Sequence, residues 1–133
     1  MTLSLQGQVA FITGGGSGLG AAAARRLAAD GAIVAINDLN LDAAKKVADE
    51  LGGLAFAFDV TDSAAFQSAV DTCVAQLGRL DIMINNAGIA PNDAASKMDL
   101  VMENMGKRMA GNIAEMEPTN YLLDLSDENW DRM

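Results

Sequence analysis

The stretch Val9–Gly20, VAFITGGGSGLG, places a short apolar strand before a glycine-rich turn, and an alanine-rich helix after it. This order restricts the chain more than any other feature. Gly14, Gly16, Gly18 and Gly20 carry no Cβ and tolerate positive φ, so backbone N–H groups there can point at an anion. A helix beginning near Gly18 adds its unpaired first N–H groups and the positive end of its dipole. A glycine pattern alone is weak. Strand, turn and helix in this order give it weight.

The rest of the chain repeats the same βα unit. Val9–Thr13 reads as a first strand and Gly18–Asp30 as a first helix, with Ala21–Ala24 offering a slim packing face and Gly31 a left-handed end. Ala32–Asn37 is a second strand, apolar enough to be covered on both faces. Leu41, Ala44, Ala48 and Leu51 recur at helical spacing until Gly52-Gly53. Leu54–Phe58 is a third strand. Thr61 or Asp62 can cap the next helix, whose buried stripe is expected at Ala65/Phe66, Ala69/Val70, Cys73/Val74 and Leu77. Leu80–Asn85 is a fourth strand, closed by the tight turn Asn85–Gly88. Alternating strands and helices with short links predict an α/β fold with a parallel sheet.

That rhythm stops after the fourth strand. Residues 91–125 form a connection far longer than a usual βα loop. Met98, Met102, Met105 and Met109 recur there at steps of three and four, which predicts a helix from about Ala94 to Ala110. Ser96 and Asp99 have capping-box spacing, and Gly106 and Gly111 weaken the last turns. The methionines read as packing, with a lid or substrate wall as the second reading. Pro118 ends any helix before Tyr121. Ser126-Asp127-Glu128 looks like the capped start of another helix, with only Asn129–Met133 to follow it. The chain is expected to be one domain over residues 1–133 that stops inside an element, with 91–125 inserted between strand four and helix four.

Composition closes off several functions. Half of the 133 residues are hydrophobic, enough for a core, yet no apolar run approaches the roughly 20 residues of a membrane span. A net charge of −9 with no Lys/Arg stripe argues against nucleic acid. There is no histidine, so the commonest metal ligand and general base are both missing, and no metal site is expected. Cys73 is the single cysteine, placed on the apolar face of a helix. It cannot form an intrachain disulfide. With no visible secretory signal at the N-terminus, the expected location is the cytoplasm.

Thr13-Gly14-Gly15-Gly16-Ser17-Gly18-Leu19-Gly20 has the TGxxxGxG form and resembles the short-chain dehydrogenase/reductase family. The likeness runs over residues 5–90 and resumes at Leu125–Arg132. It implies a Rossmann-type doubly wound parallel sheet, here partial, with strand order 3-2-1-4. It also implies that the loop lies under the pyrophosphate of a nicotinamide cofactor, nearest Gly14, Ser17, Gly18 and Leu19. Asp38, with Leu39 beside it, ends the second strand 24 positions after Gly14. A carboxylate there can accept hydrogen bonds from the two ribose hydroxyls, and it repels a 2′-phosphate. No Lys or Arg stands in the loop or next to Asp38, so NAD is favoured over NADP. An exposed turn aspartate is the plain alternative.

Asp59-Val60 stands where the family uses an aspartate for the adenine amino group, and a capping aspartate is the competing reading. Asn86-Ala87-Gly88 matches the family's NNAG motif, whose small residues pass close to the adenine ribose and whose Asn86 can tie strands together. A plain tight turn is the alternative there.

Family members move hydride with a Tyr-x-x-x-Lys pair, a serine before it and an asparagine on the fourth helix. The only tyrosine is Tyr121, and four residues later stands Leu125. No catalytic role can be given to a residue of this sequence. The resemblance implies an NAD-dependent oxidoreductase interconverting a small secondary alcohol and a ketone, homo-oligomeric when intact, with these 133 residues inactive by themselves. A non-catalytic dinucleotide-binding or interaction module is the second reading, and a nucleotide-binding methyltransferase half the third.

Overall fold

A computed structural model describes residues 4–88 and 94–116, and of residues 94–98 only the backbone. Four strands, β1 (Val9–Ile12), β2 (Ile33–Asp38), β3 (Leu54–Ala57) and β4 (Ile82–Ile84), form one parallel sheet in the order β3-β2-β1-β4. Between them run α1 (Gly18–Ala29), α2 (Leu41–Leu51) and α3 (Ser63–Leu77). The four-stranded order expected from the resemblance is the one found. Strands one and four end one residue before the expected Thr13 and Asn85, which already belong to the turns that leave the sheet, and β4 begins at Ile82, two residues after the expected Leu80.

The sheet's alternation divides its core in two. Ala10, Ile12, Val34 and Ile36 face Ala21 and Ala24 of α1 and Ala44, Val47 and Ala48 of α2. Val9, Phe11 and Ala35 point the other way, onto Ala69 and Cys73 of α3. Phe11 is the centre of an aromatic group on that face, with ring centroids 5.5 Å from Phe56, 6.5 Å from Phe58 and 6.1 Å from Phe66. Such pairs contribute about 0.5–1.5 kcal/mol each beyond the area they bury. Helices therefore cover both faces. The chain reverses its direction of winding between β1 and β4, which makes that gap the switch point of the sheet.

Local chemistry explains where the elements begin and end. Asn40 caps α2 by accepting the Ala43 N–H at 3.1 Å, and Asp62 caps α3 by accepting from Ala64 and Ala65 at 3.1 and 3.0 Å. The helix cap is thus Asp62 and not Thr61. Gly52 and Gly78 close α2 and α3 in the left-handed conformation, with φ of 68° and 79°. Two apolar stripes differ from their expected positions. In α2 the buried residues are Ala44, Val47 and Ala48, while Leu41 is exposed in the first turn. In α3, Val74 is 39% exposed, because Ala69 and Cys73 already fill the contact with the sheet.

The chain divides into two compact units, Met1–Ala87 and Gly88–Met133. In the second, α4 (Ala94–Met109) matches the helix expected from the methionine spacing and is followed by a short 3-10 turn, Ile113–Glu115. Lys107 and Glu103 form an i,i+4 ion pair at 2.8 Å on it. Met102, Met105 and Met109 are exposed. The Ser96 side chain, the Met98 side chain, Tyr121 and the helix start expected at Ser126 lie outside the described residues. Among the described residues, no helix is long and apolar enough to cross a membrane.

Candidate dinucleotide site

Parallel strands end at the same edge of a sheet, so Gly14 after β1, Asp38 ending β2, Asp59 after β3 and Asn86 after β4 share one rim. The turn out of β1 is held from several directions. Gly15 N–H donates to the Asn37 carbonyl at 2.8 Å, and Gly16 N–H donates to Asp38 Oδ2 at 3.0 Å. Gly14 and Gly18 take φ of 61° and 52°, which a side chain would strain. A Cβ on Gly18 would meet nothing within 4 Å, so the backbone there faces open space.

Ser17 is the N-cap of α1, yet its side chain makes no capping hydrogen bond, and the first turn has no acidic residue. The N–H groups of that turn are therefore not closed off by their own cap. A helix start left open beside a Cβ-free turn fits a bound pyrophosphate, which would take those N–H groups as partners. Leu19 is 83% exposed and Leu39 71%, two large apolar side chains flanking the rim.

Thr13 and Asn86 lock the switch point. Thr13 is buried, and its Oγ1 donates to the Ile84 carbonyl at 3.4 Å while accepting the N–H groups of Asn86 and Ala87 at 3.1 and 3.0 Å. The Asn86 side-chain amide donates to the carbonyls of Thr13 and Gly14, both at 3.1 Å. Asn86 does tie β1 to β4, as expected from the motif. Gly88 is exposed at the motif's end.

Asp38 is half-buried. Besides Gly16 N–H on Oδ2, it accepts the Asn40 N–H on Oδ1 at 3.1 Å. Asp59 accepts both the N–H and the hydroxyl of Thr61 on Oδ1, at 2.9 and 2.7 Å, with Val60 half-buried beside it. The capping alternative for Asp59 does not hold, since the α3 cap is Asp62. Asn37 is a rim residue that sequence reasoning passed over. It is buried at the end of β2, and its amide donates to the Phe58 carbonyl at 3.1 Å, pinning the chain that leads to Asp59. The signal for it was a polar residue closing an otherwise apolar strand. Among the described residues no three His, Cys, Asp or Glu side chains gather to hold a metal ion.

Residues 8–133 match the model of the short chain dehydrogenase family. The chain belongs to that family. The D-threitol dehydrogenase of Mycolicibacterium smegmatis is 44% identical over 101 residues, which are 72% of this chain and 39% of that protein. The sorbitol dehydrogenase of Cereibacter sphaeroides is 39% identical over 118 residues, 84% of this chain and 44% of that protein. The chain thus spans less than half the length of these relatives. Among solved structures, the 3-ketoacyl-(acyl-carrier-protein) reductase from Brucella melitensis complexed with NADH superposes with a TM-score of 0.63 at 45% identity. That match covers 65% of this chain and 36% of the reductase. A metagenomic short-chain oxidoreductase in complex with NADP gives 0.59 at 38% identity, over 64% of this chain and 41% of that one. The two structures thus hold different dinucleotides, NADH in one and NADP in the other.

Proposed function

We propose that residues 1–133 supply the NAD-binding part of an oxidoreductase that interconverts a small secondary alcohol and a ketone. The observation that carries this is the Asp38 carboxylate, fixed at the end of β2 by the Gly16 N–H at 3.0 Å. From there it accepts the two ribose hydroxyls of the adenosine half and repels a 2′-phosphate. Gly14, Ser17, Gly18 and Leu19 lie under the pyrophosphate. Leu39, Asp59 and Val60 border the adenine, and Asn86, Ala87 and Gly88 its ribose. When bound, the nicotinamide supplies the hydride acceptor or donor. The alcohol class is supported by relatives named for D-threitol and sorbitol. The whole enzyme acts in the cytoplasm as a homo-oligomer.

The test is binding of NADH and NADPH to the purified protein, followed by the cofactor's fluorescence. NADH binds the more tightly, and Asp38→Ala removes at least about tenfold of that preference. An unchanged preference overturns the NAD assignment.

The second reading, a dinucleotide-binding module without chemistry, rests on one observation. The single tyrosine, Tyr121, is followed four residues later by Leu125 in place of lysine. The two readings agree that these 133 residues bind cofactor without turnover, so reduction of a ketone by the purified chain of this verified length contradicts both.

A further inference from the structure

Resting on the reading of Asp38 as the ribose acceptor, we propose that Gly16 is the positioning residue that sets its preference for a free ribose diol. The contact is direct. Gly16 N–H holds Asp38 Oδ2 at 3.0 Å while Asn40 N–H holds Oδ1 at 3.1 Å. A carboxylate has about four lone-pair sites. One on each oxygen is taken by these backbone donors, and one on each oxygen is left. Two adjacent hydroxyls on one sugar need that pair of acceptors, one per oxygen, in a fixed orientation.

The space around Gly16 makes this orientation depend on the missing side chain. A Cβ at position 16 would lie 2.7 Å from Asp38 Oδ2, 2.9 Å from its Cγ and 2.9 Å from the Ala43 Cβ. Ala43 stands in the first turn of α2, anchored by its N–H on the Asn40 cap at 3.1 Å. It has no freedom to retreat. The Asp38 carboxylate is the free end of a side chain, so it is the group that moves. Once displaced, it no longer presents its two acceptors to the diol, and it leaves the Asn40 N–H and the residue-16 N–H without their anion. Two unpaired backbone donors are a better neighbour for a 2′-phosphate than a carboxylate is. A side chain at position 16 therefore weakens NAD and relieves the exclusion of NADP together, through the displaced Asp38 carboxylate.

The experiment is a double-mutant cycle on the purified protein: wild type, Gly16→Val, Asp38→Ala and the double variant. Affinities for NADH and NADPH are read by cofactor fluorescence, with far-UV circular dichroism confirming the fold of each. Gly16→Val is expected to lower the NADH:NADPH affinity ratio by about tenfold or more. In the Asp38→Ala background the same substitution is expected to change that ratio by less than about twofold, because the carboxylate it acts through is gone. An equal effect of Gly16→Val in both backgrounds overturns the proposal and leaves Gly16 a loop-packing residue. If Asp38→Ala alone leaves the ratio unchanged, the ribose reading itself falls, and the proposal with it. Should Gly16→Val fail to fold, Gly16→Ala places the same Cβ, and the cycle is read identically.

Discussion

Asn86 and Thr13 are bonded to each other twice, from the Asn86 backbone N–H to Thr13 Oγ1 and from the Asn86 amide to the Thr13 carbonyl, both at 3.1 Å. The pairing crosses the switch point of the sheet, so it fixes the distance between the glycine turn and the turn after β4. Removing it is expected to cost stability and cofactor affinity together. Asn86→Ala gives up two donated hydrogen bonds and leaves the Thr13 and Gly14 carbonyls short of a partner, a loss of about 1–3 kcal/mol. Urea unfolding monitored by circular dichroism measures it. Asn86→Asp is expected to be worse, because it sets a carboxylate against two carbonyl oxygens.

Gly20 shows the closest backbone approach in the site. A Cβ there would lie 2.2 Å from the Gly14 carbonyl oxygen and 2.6 Å from the Asn86 amide nitrogen. Neither the backbone nor the clamped amide can yield cheaply. Gly20→Ala, although favourable to helix propensity, is expected to destabilise by about 1–3 kcal/mol and to weaken NADH binding. A midpoint equal to or above that of the parent contradicts this.

Acid sensitivity is expected from Asp81. Arg79, whose guanidinium contacts it at 2.6 Å, and the Val9 N–H, at 2.8 Å, hold its carboxyl below the ordinary value of 3.8. A carboxyl depressed on folding adds stability above its unfolded pKa and loses it as pH falls through the folded value. Glu50 is lowered in the same sense by Arg25 across α1 and α2. Stability is thus expected to fall below about pH 4. Asp81→Asn is expected to flatten that fall while lowering stability at neutral pH. Thermal midpoints between about pH 3 and pH 7 decide it.

Cys73 is fully buried against the sheet, and burial pushes its thiol pKa upward. The native protein is expected to resist a thiol reagent such as DTNB at neutral pH and to react at one site on unfolding. Cys73→Ser is expected to cost more than Cys73→Ala, since it places a hydroxyl in an apolar contact with Ala69 and the sheet. Rapid modification of the folded protein contradicts the burial.

The glycine turn and the alternation of strands and helices were legible in the sequence because each depends on local chemistry, while the strand order came from the family resemblance. Val9–Ile12 is apolar and short, Gly18 takes a left-handed backbone, and the α3 cap was narrowed to Thr61 or Asp62, between which the structure chose Asp62. Family likeness then supplied what a turn alone cannot, the meaning of Asp38 and of Asn86–Gly88. Details of burial were less legible. Val47 and Val74 have the same side chain on regular amphipathic helices, yet one is buried and the other 39% exposed. Helical periodicity gives the direction of a stripe, but its centre is set by which sheet residues stand opposite.

By itself, then, the sequence determined a parallel βα fold with a glycine turn after its first strand, because strand and turn signals act over a few residues. Only the tertiary structure decided that Gly16 and Asp38, 22 positions apart, share one hydrogen bond and leave no room for a Cβ between them. The physical reason is that such a contact depends on how closely β1 and β2 bring their following turns together. Spacing along the chain does not encode that distance.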